Sequence, residues 1–339
     1  MGLSFFVGYL FDGIRSNSGR GKHFSSVKTP QLLLLHFVTY SVLNLFTFLS
    51  SYDKIITYMF VNTFKLLSFL AFKLLIMKGS FCMPITEILE RNAREFGNDV
   101  ALVEVNPEIR ETRRVTWKEY ELIEPNPVCH YRREITWSVF NEKANRFANL
   151  LLSRGVKKGD KVGILLMNCL EWLPIYFGIL KTGALAVPFN FRYTPEEIKY
   201  CLDLAEVDIL VFGPEFIGRV EEIADEISKN RLLFYVGENC PSFAEHYDRL
   251  TANCASTTPY IELTDEDDAA IYFSSGTTGF PKAILHNHES LMHAARVEQN
   301  HHGQTKEDVF LCIPPLYHTG AKMHWFGSLI SGGKAVLLK

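Results

Sequence analysis

The chain has little of what marks a disulfide-bonded, zinc-stapled or nucleic-acid-binding protein. Its seven cysteines, Cys82, Cys129, Cys169, Cys201, Cys240, Cys254 and Cys312, are odd in number and scattered, with no C-x-x-C pair. That spacing signals neither a disulfide framework nor a structural zinc site, and it suits a reducing compartment for the main body. No sign of charge dominates: 35 Lys and Arg stand against 38 Asp and Glu, a formal net charge of -3, so no nucleic-acid partner is expected. The histidines His286, His288, His293, His301 and His302 fall close together. Read as lacking acidic or cysteine companions at ligand spacing, they are assigned no metal. A Walker A loop is missing as well. In the one run rich in glycine and hydroxyls, Pro281 precedes Lys282 and Ala283 follows it, where that loop needs Gly before the lysine and Ser or Thr after it.

What is present divides in two. From Gln31 to Ser51 and from Ile55 to Met77 the chain is dominated by Leu, Phe, Ile, Val and Tyr, each run about long enough to cross a bilayer as a helix. His36 and Asn44 interrupt the first run, and Lys65 and Lys73 the second. The two lysines, eight apart, share one helical face, so an interfacial helix competes with a spanning one. Arg15, Arg20, Lys22 and Lys28 before the first run and Lys78 after the second suit a hairpin with both ends cytoplasmic. Residues 1–82 are therefore expected to be a hydrophobic helical extension, with membrane association through residues 31–77. The competing expectation is a chain that effectively starts at Met83 and is cytoplasmic.

Residues 83–339 read as α/β. Asp99 to Val105 reads as a strand, and the near-repeat Arg113 to Trp117 and Arg132 to Trp137 as paired strands. Phe140, Ala144, Phe147, Ala148, Leu151 and Leu152 recur at helical spacing and end at Gly155. Short apolar strands then alternate with helices: Lys161 to Leu166, Leu170 to Lys181, Ala184 to Asn190, Pro195 to Leu204, Asp208 to Phe212, Glu215 to Ser228 and Leu232 to Val236. Such alternation implies mostly parallel sheets flanked by helices. Cys240 to Pro259 reads as a connecting loop, and the acidic run Asp265 to Asp268 as a solvated turn.

The most informative run is Tyr272 to Lys282, which follows an apolar strand and holds Ser274, Ser275, Gly276, Thr277, Thr278, Gly279 and Lys282. Hydroxyl donors, glycines that permit close backbone approach, and a compact positive charge together make a phosphate cradle. The positions Ser274 to Lys282 fit the pattern S-S/G-G-T-T-G-x-P-K, and the run resembles the signature loop of the AMP-forming acyl-CoA synthetases, within the adenylate-forming superfamily. Ala283 departs from that family's usual glycine. Met83 to Ala93 resembles the family's opening, Thr136, Trp137, Ala144, Asn145 and Ala148 its T-W/Y then A-N-x-x-A helix, and Leu180 to Asn190 another stretch of its scaffold. Pro314-Pro315-Leu316-Tyr317-His318-Thr319-Gly320 resembles its P-L-x-H-x-x-G motif, with the glycine two residues after His318 rather than three.

The resemblance implies an ATP-dependent ligase that converts a small carboxylic acid and coenzyme A into acyl-CoA, AMP and pyrophosphate, with Mg2+. It implies that Ser274, Ser275, Gly276, Thr277, Thr278, Gly279 and Lys282 hold the phosphates and that His318 is the catalytic-site residue lining the acid pocket. His288 sits where the family often has a histidine after the phosphate loop. The family's adenine, ribose and small-domain motifs find no match up to Lys339. The expectation is therefore the N-terminal part of the family's large domain, inactive by itself. The alternative, from another class, is a membrane-associated non-catalytic protein retaining a degenerate nucleotide-binding module.

Overall fold

A computed structural model of the chain describes residues 83–106, 113–117, 120–124, 132–274 and 281–339. The expected hydrophobic extension, residues 1–82, lies outside the described residues. Among the described residues no helix is long and apolar enough to cross a membrane.

Helix α1 (Ile85–Glu95) buries Ile85, Ile88, Leu89 and Asn92, the spacing of one helical face. Strand β1 (Val100–Val105) follows, then β2 (Arg113–Trp117), β3 (Tyr120–Glu124) and β4 (Arg132–Thr136). The two copies of the near-repeat do not pair with each other. β2 pairs antiparallel with β3, and β4 pairs antiparallel with β1. Only residues 118 and 119 separate β2 from β3, so that hairpin closes locally before the second copy can compete. Helix α2 (Trp137–Ser153) starts at Thr136, whose hydroxyl accepts from Val139 N at 3.3 Å. It buries Phe140, Ala144, Phe147, Ala148 and Leu151 as its periodicity requires, and Gly155 turns the chain with φ +83°.

The expected alternation then appears in full: β5 (Lys161–Leu165), α3 (Trp172–Lys181), β6 (Leu185–Pro188), α4 (Pro195–Leu204), β7 (Ile209–Phe212), α5 (Ile217–Ile227) and β8 (Leu232–Tyr235). Thr194 and Glu197 form a reciprocal cap at the start of α4, with Pro195 in the first turn. The stretch expected to be an irregular loop contains a short strand, β9 (Glu245–His246), and a short helix, α6 (Tyr247–Ala252). Tyr247 accounts for this order: it is buried, with its ring 5.3 Å from that of Phe147. The chain continues through β10 (Asp268–Ser274), β11 (Lys282–Asn287), α7 (His288–His302), β12 (Val309–Cys312), α8 (Thr319–Ser331) and β13 (Lys334–Leu338). Asp268, expected in a turn, is the first residue of β10, while Asp267 stays in the turn and pairs with Lys158 at 2.7 Å.

The larger sheet has the order β11-β10-β6-β5-β7-β8-β9 and is parallel throughout except for β11. Successive side chains of a strand point to opposite faces. On β7, Ile209 and Val211 accordingly join one apolar cluster with residues of α2 and α3, while Leu210 and Phe212 join a second with residues of α4 and α5. The smaller sheet has the order β12-β13-β1-β4, and its centre joins distant segments, with Leu102 opposite Ala335. Glu104, buried on β1, accepts from Arg133 at 2.7 Å and from Leu170 N at 2.9 Å, fixing that sheet to the start of α3.

Candidate functional site

β10 and β11 pair antiparallel with Ser274 opposite Lys282, so the two ends of the glycine-rich loop are held one strand spacing apart. Ser274 is half-buried, Pro281 is buried and Lys282 is exposed. Ser275, Gly276, Thr277, Thr278 and Gly279, all assigned to the phosphate cradle, lie outside the described residues. The strand that delivers the loop is anchored below it, where Tyr272 donates its buried hydroxyl to the Tyr176 hydroxyl at 2.9 Å.

His318 ends the turn between β12 and α8 and is the N-cap of α8. Its Nδ1 accepts from Gly320 N at 3.3 Å, which gives the shortened glycine spacing a use. Nε2 is the ring nitrogen not engaged in that cap. The turn is held by Asn168, a residue the sequence reading passed over. This buried amide accepts from Leu316 N at 2.9 Å and donates to the carbonyls of Pro314 at 3.2 Å and Leu338 at 3.1 Å. Asn168 lies in the loop after β5, so one side chain ties the carboxyl end of a large-sheet strand to the His318 turn and the end of β13. Its position directly after an apolar strand was the available signal.

No hydrogen bond or ion pair joins Ser274 or Lys282 to His318 among the described residues. What lies between them is the segment after β6, also passed over. The Phe189 ring packs 5.6 Å from that of Phe273, which precedes Ser274, and the Phe191 ring lies 5.7 Å from that of Tyr317, which precedes His318. Arg219 Nη1 donates to the carbonyls of Phe191 at 2.6 Å and Tyr193 at 3.2 Å, fixing the segment from α5. Burial pushes the Tyr317 phenol above its ordinary range, with the Arg192 guanidinium partly opposing, and pushes Tyr193 up further. Both phenols are therefore neutral at physiological pH. The loop ends and the His318 turn thus flank one aromatic segment at the carboxyl ends of strands, where open α/β sheets present ligands.

Other titratable groups nearby are scaffold. His288 is fully buried at the start of α7, with neither ring nitrogen hydrogen-bonded. Desolvation drives its imidazole down to about 4, with Asp267 partly opposing, so it is neutral packing. Burial likewise pushes the Cys201 and Cys312 thiols up to about 12 and Cys169 well above the usual thiol range, which rules all three out as nucleophiles at neutral pH. The histidine cluster does not stay companionless: Glu298, one turn before His302, touches both His302 and His324. The i, i+4 spacing was legible, but His324 comes from the next helix.

A family model described as AMP-binding enzyme matches residues 89–339. The chain is similar to the crotonobetaine/carnitine–CoA ligase of Salmonella heidelberg (strain SL476), 34% identical over 182 residues that make up 52% of this chain and 35% of that protein. The Citrobacter koseri protein of the same description is 32% identical over 203 residues, 58% of this chain and 39% of its own length. The alignments thus span little more than a third of these curated relatives. Among solved structures, the anthranilate CoA ligase AuaEII in complex with anthranoyl-AMP superposes with a TM-score of 0.65 at 26% identity, covering 76% of this chain and 45% of that one. The inhibitor-bound N-terminal domain of FACL13 from Mycobacterium tuberculosis gives a TM-score of 0.61 at 23% identity, covering 76% and 57%, a likeness of fold alone.

Proposed function

The chain belongs to the AMP-binding enzyme family, and from that premise we propose that residues 83–339 form the phosphate-holding and acid-facing part of an ATP-dependent, AMP-forming acid–CoA ligase. The observation that carries the proposal is the Ser274–Lys282 pair closing the hydroxyl-rich loop, with the aromatic segment linking it to the His318 turn. In the first half-reaction a carboxylate oxygen attacks the α-phosphorus of ATP and pyrophosphate departs, leaving an acyl-adenylate. In the second the coenzyme A thiolate attacks the acyl carbon and AMP departs. Negative charge builds on the leaving pyrophosphate, and preorganised donors are worth most where charge develops. Ser274, Ser275, Thr277 and Thr278 supply hydroxyls, Gly276 and Gly279 backbone N–H groups, and Lys282 a charge at the mouth of the hairpin. His318 lines the acid through the ring nitrogen left over from its cap. Mg2+ would neutralise the triphosphate, and none of the described residues is assigned to it.

ATP binding reads the loop, and hydroxamate trapping of the acyl-adenylate, in a version completed with a relative's carboxyl-terminal half because residues 83–339 are expected to be inactive by themselves, reads turnover across carnitine, anthranilate and fatty acids. Lys282→Ala is expected to weaken ATP binding or slow adenylation by about ten- to a hundredfold, the equivalent of a charge-assisted bond of roughly 1.5–3 kcal/mol, with an unchanged Tm. His318→Ala should leave ATP affinity within about twofold, far less than the tenfold that 1.4 kcal/mol represents, and act on the acid. An unchanged ATP affinity together with an unchanged adenylation rate in Lys282→Ala would overturn the assignment of the loop. Residues 1–82 are proposed to be a separate extension that adds membrane association to a cytoplasmic ligase. Carbonate-resistant pelleting of the full chain supports that role, and full release by carbonate removes it.

A further inference from the structure

Outside the proposed ATP and acid site, one cluster brings together side chains of the kind that bind transition metals. Glu298 and His302 lie one turn apart on α7, and His324 faces them from α8. Glu298 Oε2 is 3.2 Å from His302 Nε2 and 2.7 Å from His324 Nδ1. One ligand atom from each of the three lies within 4.8 Å of the others. With zinc bonds of about 2.0–2.1 Å to imidazole and carboxylate, the edges of a tetrahedral site are about 3.3 Å, so the cluster needs only small side-chain adjustments to accept an ion. We propose that Glu298, His302 and His324 form a binding site for a borderline divalent cation of the zinc class, with water in the fourth position.

Three features support the site. Two imidazoles and one carboxylate are a donor set that selects zinc, cobalt or nickel over magnesium or calcium. The ligands sit on two packed helices rather than on loops, which holds their geometry. The rings are also oriented by neighbours: Phe310 stacks near His324 with ring centroids 6.3 Å apart, and His301 lies edge-on to His302 at 5.1 Å. All three ligands are partly solvent-exposed, His302 and His324 by 49% and 45% of their side-chain surface, so an ion can enter. Binding would require both facing ring nitrogens to be lone-pair donors, with the ring protons on His302 Nδ1 and His324 Nε2. The ion would then clamp α7 to α8, the helix that His318 caps.

The test is metal titration of the purified full chain after removal of metal by a chelator. Co2+ is expected to bind with the visible absorption of a tetrahedral site, to be displaced by Zn2+ and not by Mg2+, and to raise Tm. His324→Ala and the isosteric Glu298→Gln should each weaken the site at least tenfold, since changing even outer-shell partners costs about 10–100-fold. His301→Ala should leave it intact. Co2+ or Zn2+ affinity unchanged in both His324→Ala and Glu298→Gln, or no tetrahedral Co2+ spectrum in the parent, overturns the proposal. Glu298→Gln keeps the shape of the side chain, so its result stands even if His324→Ala loosens α8.

Discussion

The two principal sheets are assembled in opposite ways. In the larger, β5 pairs with β6 and β7 with β8 across one helix each, and β5 pairs with β7 across two helices and a strand, so the four central strands come from one stretch of chain. In the smaller, β13 is laid between β12 and β1, segments drawn from the two ends of the described region. Loop-closure entropy must be met there before any contact rewards it. Such pairing makes the β6-β5-β7-β8 part of the larger sheet self-sufficient, with β10 added to its edge from farther along the chain, whereas the smaller sheet depends throughout on a strand that arrives last.

Leu337→Ala in β13 tests that contrast most severely. The side chain is fully buried, and its removal is expected to cost about 3 kcal/mol. Amide exchange should accelerate in β1 and β12 while β5, β7 and β8 stay protected. Equal loss of protection in both sheets would show a single cooperative unit.

An effect of similar size comes from His288, at the junction where β11 of the larger sheet passes into α7. Its folded value is about 4 against an ordinary 6.5, so between those limits the unfolded chain binds the proton and the folded chain does not. Stability is therefore complete above about pH 6.5 and falls as pH drops towards 4, by roughly 3 kcal/mol at most. His288→Leu should flatten that part of the pH–stability curve, and parallel curves for the two proteins would assign the acid sensitivity elsewhere. A smaller effect is expected where Asn168 bridges the sheets. Asn168→Ala strands the Leu316 N–H and should cost about 2 kcal/mol, with faster exchange at Leu316 and, in the version completed with a relative's carboxyl-terminal half, a raised KM for the acid. A change in Tm without faster exchange at Leu316 would mean that the bridge does not hold the His318 turn.

The same contrast explains what was legible in the sequence. Local rules, namely apolar alternation, helical spacing and Gly155 at a helix end, located β5 to β8 and the helices between them to within a few residues. They could not show that β4 would choose β1 over β2, because that depends on partners far along the chain. They also missed α6, whose order comes from Tyr247 packing on Phe147 rather than from its own propensity. The chemistry followed the same pattern. The glycine-rich run and the His318 motif stood out as consecutive residues. Asn168, the aromatic segment from Phe189 to Tyr193 and the pairing of Glu298 with His324 are contacts across the fold, and their residue types alone are common in packed cores and solvated faces.

The ladder between β10 and β11 sets rules for insertion and deletion. Its pairing runs without interruption from Ala270 opposite His286 to Ser274 opposite Lys282, and the side-chain period of a strand is two residues. Residues added between positions 275 and 281 lengthen the loop and leave its two anchors opposite each other. A single residue added within β11 carries every side chain before it to the other face, and Lys282 goes with them. Length variation among functional versions of this chain should therefore be tolerated inside the loop and excluded from the strand beside it.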